Sequence, residues 1–166
     1  PSMVTLAGRT GRHARLMGTY ERSADRANGA ALFVKQLAGG GKHYLYRSSG
    51  SGRWMATDEE GYMAEDKGMV RTPQASDLPT EAGVAWQWGD GVGWQDDANM
   101  RCVEGELASP SMVTLAGRTG RHARYMGAYE RSADRVNGAP LFVKQLASGS
   151  KHYLYQSSDG RGWTAT

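Results

Sequence analysis

Residues Arg15 to Leu37, RLMGTYERSADRANGAALFVKQL, decide the fold class. Their apolar positions recur at every second residue: Leu16, Gly18 and Tyr20 fall on one face of an extended segment, and Met17, Thr19 and Glu21 on the other. A period of two is the pattern of a half-buried strand and not of a helix. Asn28-Gly29 then separates this run from Ala31 to Leu37. Asn-Gly is the preferred pair for a tight hairpin because both residues tolerate positive φ. Residues 15–23 and 31–37 are therefore expected to pair as antiparallel strands.

The same reading extends in both directions. Ser2 to Ala7 is expected as a strand upstream. Downstream, Gly39-Gly40-Gly41 turns the chain into Lys42 to Arg47, with Tyr44 and Tyr46 on one face and His43 and Leu45 on the other. A Ser/Gly turn at Ser48 to Gly52 leads into Arg53 to Thr57 around Trp54. Short alternating runs bounded by glycine turns predict an all-β protein, an antiparallel meander or sandwich-like arrangement in which helix has almost no part.

This block occurs twice. Residues 1–57 recur without a gap as residues 110–166, with 45 of 57 positions identical and a period of 109 residues. A repeat of this closeness predicts tandem units of one fold. We expect a complete β unit at 1–104, a linker at 105–109 and the N-terminal half of a second unit at 110–166, whose missing half lies beyond the boundary or comes from a neighbour. Charge follows the repeat. Residues 1–57 hold nine Lys/Arg against two Asp/Glu, a charge of +7, and residues 110–166 hold eight against three, +5. Residues 58–109 hold three against twelve, −9. Alternating basic and acidic halves favour docking between successive units. The net charge of +3 reflects where the sequence is cut and not a basic surface, which argues against a nucleic-acid partner.

The acidic segment differs in kind. Asp58 to Glu81 contains Pro73 and Pro79 and no clean period, so it predicts a loop with a helical turn near Tyr62 to Lys67. Strand character returns at Val84 to Trp88, followed by a Gly89-Asp90-Gly91 turn and a segment from Gly93-Trp94 to Cys102-Val103 that can pair back.

Composition narrows the classes. No stretch approaches the roughly 18 uninterrupted apolar residues of a transmembrane helix, and the start lacks the pattern of a signal peptide, so membrane insertion is not expected. The single cysteine, Cys102, excludes an internal disulfide and a multi-cysteine metal site. No Asn-X-Ser/Thr acceptor for glycosylation is present.

Taken in order, Val-Thr-Leu-Ala-Gly, Met-Gly-Thr-Tyr-Glu-Arg, Asn-Gly-Ala-Ala-Leu-Phe-Val-Lys, His-Tyr-Leu-Tyr-Arg, Gly-Arg-Trp-Met-Ala-Thr-Asp and Trp-Gln-Trp-Gly-Asp-Gly with Trp94 span the whole period. In that order they resemble an uncharacterised β-rich repeat found in many copies in large proteins of algae and other protists. The resemblance implies an extracellular or cell-surface repeat. Its motifs are turns and aromatic positions, so no catalytic residue carries over. The second copy departs from the pattern at Ser158 to Trp163.

Three functions compete. The leading expectation is a structural module that assembles head to tail with copies of itself into an extracellular fibre or surface array, through strand-edge pairing and charge complementarity. The alternative is a carbohydrate-binding module, with Trp86, Trp88, Trp94, Tyr44, Tyr46 and Trp54 as ligand or interface residues on which sugar rings stack. Whether the tryptophans are exposed on one face or buried separates the two. An enzyme ranks third. His13, His43, His122 and His152 have no metal-ligand spacing, Cys102 has no nearby histidine, and Gly8 to Arg12 lacks the strand-to-helix context of a phosphate loop. Asp96 and Asp97 are the weak candidates for calcium, and no cofactor is expected.

Overall fold

In a computed structural model the described residues are 1–81, 86–107 and 110–166. They form two antiparallel curled sheets with no helix beyond short 3₁₀ turns. The first sheet contains β1 (Met3–Ala7), β2 (Gly18–Ala27), β3 (Ala30–Gln36), β4 (Lys42–Arg47), β5 (Trp54–Thr57), β6 (Val70–Arg71), β7 (Trp86–Gly89), β8 (Trp94–Asp97) and β9 (Arg101–Glu104). Its order is β8-β7-β6-β5-β4-β3-β2-β1-β9. The second sheet is a simple meander of β10 (Met112–Leu115), β11 (Gly127–Val136), β12 (Ala139–Gln145), β13 (Lys151–Gln156) and β14 (Trp163–Ala165).

The first sheet wraps around one core. Flat, its nine strands would span on the order of 40 Å. Yet a single apolar cluster draws Val4 and Leu6 from β1, Tyr20 from β2, Phe33 from β3, Leu45 from β4, Trp54 and Ala56 from β5, Val70 from β6, Trp86 from β7 and Cys102 from β9. The connection from β8 to β9 is residues 98–100, so chain reach alone holds the two edges of the sheet within roughly 14 Å. Loop 8–13 spans that gap. Gly8 lies there at φ +101, and a Cβ on it would sit 1.8 Å from the Asn99 carbonyl oxygen. Only glycine permits both the backbone angle and the approach.

Alternation then sorts the rest. Leu32, Tyr44, Tyr46 and Met55 point to the other face, where Val34 and Met63 join them. The 3₁₀ turn Glu60–Met63 lies beside this face, and the Tyr46 hydroxyl donates to the Lys67 carbonyl at 2.7 Å.

Several expectations shift in detail. The run expected as a strand from Arg15 starts instead with a 3₁₀ turn, Ala14–Leu16, and β2 begins at Gly18. The turn rotates the chain, so Leu16 and Met17 both enter the core that Tyr20 fills. The helical turn expected at 62–67 sits slightly earlier, at Glu60–Met63. The stretch from Trp94 to Val103 pairs back on Trp86 to Gly89 in its first part only, as β8 on β7, whereas β9 crosses to the far edge and pairs with β1, Leu6 opposite Cys102. Pairing across 96 residues leaves no mark on local periodicity. Val84, expected to open a strand, lies outside the described residues.

The sheets share their pairing. Met3 faces Glu21 in β1–β2 and Met112 faces Glu130 in β10–β11. Phe33 faces Leu45 and Phe142 faces Leu154. The bulge between Arg22 and Arg26 reappears between Arg131 and Arg135. Near-identical sequence thus gives the same five-stranded ladder twice.

Candidate functional site

The aromatic residues singled out by sequence do not gather on one surface. Trp54 and Trp86 are buried in the first core, where Trp54 packs at 5.9 Å from Phe33 and donates its Nε1–H to the Ser76 carbonyl at 3.2 Å. Tyr44 and Tyr46 are buried on the opposite face. Trp88 and Trp94 are half-buried, and each has a guanidinium over its ring: Arg9 lies 3.8 Å from the Trp88 centroid and Arg71 lies 4.0 Å from that of Trp94. Such stacking is a cation–π contact that covers one face of each ring. Asp97 receives the same Arg9 at 2.8 Å, and Asp96 accepts from the Gln87 amide at 2.9 Å.

The acidic segment binds the basic block through its charges and carbonyls. Arg9 pairs with Asp97, both side chains largely buried. Arg15 pairs with Asp58 at 2.7 Å, Arg12 donates to the Asp90 carbonyl, and the His13 ring bonds the Gly89 carbonyl at 2.8 Å. Asp66 accepts from the backbone N–H groups of Ser49 and Gly50. Both arginines of loop 8–12, Arg9 and Arg12, are engaged in these contacts.

A second contact joins the two sheets. The Gly138 carbonyl accepts the Thr19 N–H at 3.0 Å, the Asn137 side chain accepts the Ala38 N–H at 3.2 Å, and Arg135 donates to the Thr19 hydroxyl at 2.9 Å. Glu106 forms ion pairs with Arg131 and Arg135. Gly138, at φ +74, lies so close that a Cβ would meet Lys35 Cγ and Cδ at 2.8 Å. Asn137-Gly138 repeats the turn motif Asn28-Gly29; nothing local to the motif says that the turn is also a plug. Lys35 and Thr19 escaped notice because a lysine and a threonine in a strand read as solvent-facing.

Burial explains the electrostatics around this contact. Lys35 has no carboxylate partner among the described residues and donates to the carbonyls of Arg15 and Met17, both at 2.6 Å, so it finishes the 3₁₀ turn. Burial pulls its ammonium down to about 8. His43, opposite Lys35 in the ladder, falls to about 4, through burial first and then the Lys35 charge. The Cys102 thiol is pushed up to about 12 by burial, which leaves it unreactive.

The second sheet lacks the cover that the first one has. Trp163, Met112 and Tyr153 are 51%, 55% and 39% exposed. Their counterparts Trp54 and Tyr44 are buried, and Met3 is half-buried. Among the described residues the outer edges of β10 and β14 have no ladder partner, whereas the matching edges of β1 and β5 pair with β9 and β6.

No group of three or more His, Cys, Asp or Glu placed to hold a metal occurs among the described residues, and no helix there is long and apolar enough to cross a membrane. No protein-family model, curated protein or solved structure matches the chain.

Proposed function

We propose that this chain is a structural repeat module that docks head to tail with further copies to build an extended array, through sheet-edge pairing and complementary charge. The observation that carries this reading is the contact between the two sheets, in which the Asn137-Gly138 turn of one copy seats against Thr19, Lys35 and Ala38 of the other. The contact is heterologous: the second copy presents its turn, and the first presents a different surface. Contacts of this kind generate open arrays when the rotation does not close. Both surfaces recur: Asn28-Gly29 is an exposed turn, with its Gly29 carbonyl held by Arg26, and Lys144 lies at the position of Lys35, with Ala128 at that of Thr19. Strand edges without a ladder partner among the described residues add a second route to association. The occupied faces of Trp88 and Trp94 and the burial of Trp54 and Trp86 favour this reading over sugar binding. The resemblance noted in the sequence supports an extracellular or cell-surface setting.

The test is light scattering and electron imaging of the chain at micromolar concentration and at two salt levels. Head-to-tail oligomers that weaken with salt are the expected result. A monomer under both conditions overturns the reading.

A further inference from the structure

We propose that Asn28 is a site of spontaneous deamidation, that its conversion to aspartate loosens the acidic segment from the basic block, and that seating of the same turn against a neighbouring sheet, as Asn137 is seated, suppresses the reaction. The proposal stands on the contact between the two sheets within this chain and not on assembly between chains.

The chemistry needs only the dipeptide and water. In Asn28-Gly29 the Gly29 backbone nitrogen attacks the Asn28 side-chain carbonyl carbon, the bond from that carbon to the amide nitrogen breaks, and ammonia leaves with the proton of the Gly29 nitrogen. Water then opens the five-membered imide at either carbonyl, giving aspartate or isoaspartate. Glycine in second place removes the Cβ that would hinder the attack, and the space beside Gly29 is open, since a Cβ there would meet nothing within 4 Å. Asn28 is exposed, and among the described residues its side chain is held through the amide nitrogen alone.

Asn137 repeats the turn, at φ 55 against 52 for Asn28. It also repeats the bond from the amide nitrogen to the facing strand, reaching the Gln156 carbonyl at 2.7 Å where Asn28 reaches the Arg47 carbonyl at 3.1 Å. The difference is the seat. The Asn137 side-chain oxygen accepts the Ala38 N–H at 3.2 Å, the Gly138 carbonyl accepts the Thr19 N–H at 3.0 Å, and Asn137 is 7% exposed. Both ends of the amide are then fixed, so its carbon reaches the Gly138 nitrogen only when the contact opens.

The product at position 28 puts a charge where the fold supplies none of the opposite sign. The Asn28 amide donates to the Met63 carbonyl at 3.4 Å and to Asp66 Oδ1 at 3.3 Å. Asp66 accepts the Ser49 and Gly50 N–H groups at 2.9 and 2.8 Å, which ties residues 63–67 to the basic block. A carboxylate has no proton to donate, so aspartate at position 28 faces two carbonyls and a like charge. Aspartate tolerates the left-handed backbone as asparagine does, so this loss is electrostatic, whereas isoaspartate lengthens the two-residue turn itself.

The experiment ages the full chain in mild alkali and follows the mass gain of amide-to-acid conversion peptide by peptide, in native buffer and in urea. Asn28 should convert first and Asn137 at least about tenfold more slowly. In urea the two rates should converge, because both sites are then the same solvated dipeptide. Equal rates in native buffer, a stable Asn28, or a contrast that persists in urea overturns the proposal. Hydrogen exchange reads the consequence. Asn28→Asp should speed exchange at the Ser49, Gly50 and Lys67 amides by about tenfold. The swap of Asn28→Asp with Asp66→Asn returns one amide and one carboxylate to the pair and should restore protection. Unchanged protection in N28D, or no recovery in the swap, overturns the link between the modification and the acidic segment.

Discussion

Truncation of one tryptophan in each copy, Trp54→Ala and Trp163→Ala, compares the same residue, strand and ring partner with and without cover. Trp54 is 2% exposed and Trp163 is 51% exposed, while Phe33 and Phe142 meet them at 5.9 and 5.8 Å with tilts of 58° and 59°. The ring–ring contribution therefore cancels between the two variants. A tryptophan side chain buries up to about 250 Å², so the difference in exposure corresponds to roughly 120 Å². At about 25 cal/mol per Å² that is roughly 3 kcal/mol. Trp54→Ala also leaves the Ser76 carbonyl without the indole N–H, a further loss of about 1 kcal/mol. Trp54→Ala is therefore expected to cost about 4 kcal/mol more than Trp163→Ala. Hydrogen exchange read by mass spectrometry over β4–β5 and β13–β14 reports each local opening energy separately. Equal costs at the two sites would refute the reasoning, because they would mean that the acidic segment adds no cover over the first copy.

Three further outcomes are expected. Acidification from pH 7 to 4 should destabilise the first sheet by about 3 kcal/mol, because His43 has a folded value near 4 below its ordinary 6.5, so the unfolded chain binds the extra proton in that window and stability falls with pH; urea midpoints against pH should lose this slope in His43→Gln. Gly29→Ala and Gly138→Ala share a positive φ, but only the second meets a neighbour, so G29A should cost about 1 kcal/mol and G138A about 1–3 kcal/mol more, read as faster exchange at the Thr19 and Ala38 amides. Cys102 should react with maleimide only at the rate of unfolding; rapid labelling of the native chain would contradict its burial.

Much of the fold was legible locally. Residues 42–47 form a strand with the bounds that alternation assigns, with Tyr44 and Tyr46 opposite His43 and Leu45, and Asn28-Gly29 makes the hairpin it signals. These features depend on neighbours within a few residues, where side-chain period and φ preference act. The role of the aromatic residues was not legible. Alternation places Trp86 and Trp88 on one face but does not say that one fills a core and the other lies under Arg9.

The sequence by itself determined the all-β class, the strand alternation, the hairpin turns, the duplicated block and the basic-acidic-basic order of charge, because each is a property of local pattern or simple count. Only the tertiary structure decided that β9 crosses to β1, that Arg9 and Asp97 meet, that Lys35 lies under a turn from the other copy, and that matching strands are covered in one sheet and open in the other. Those outcomes depend on which surfaces meet after chain closure. Two blocks of nearly the same sequence cannot encode a difference that comes from what packs against them.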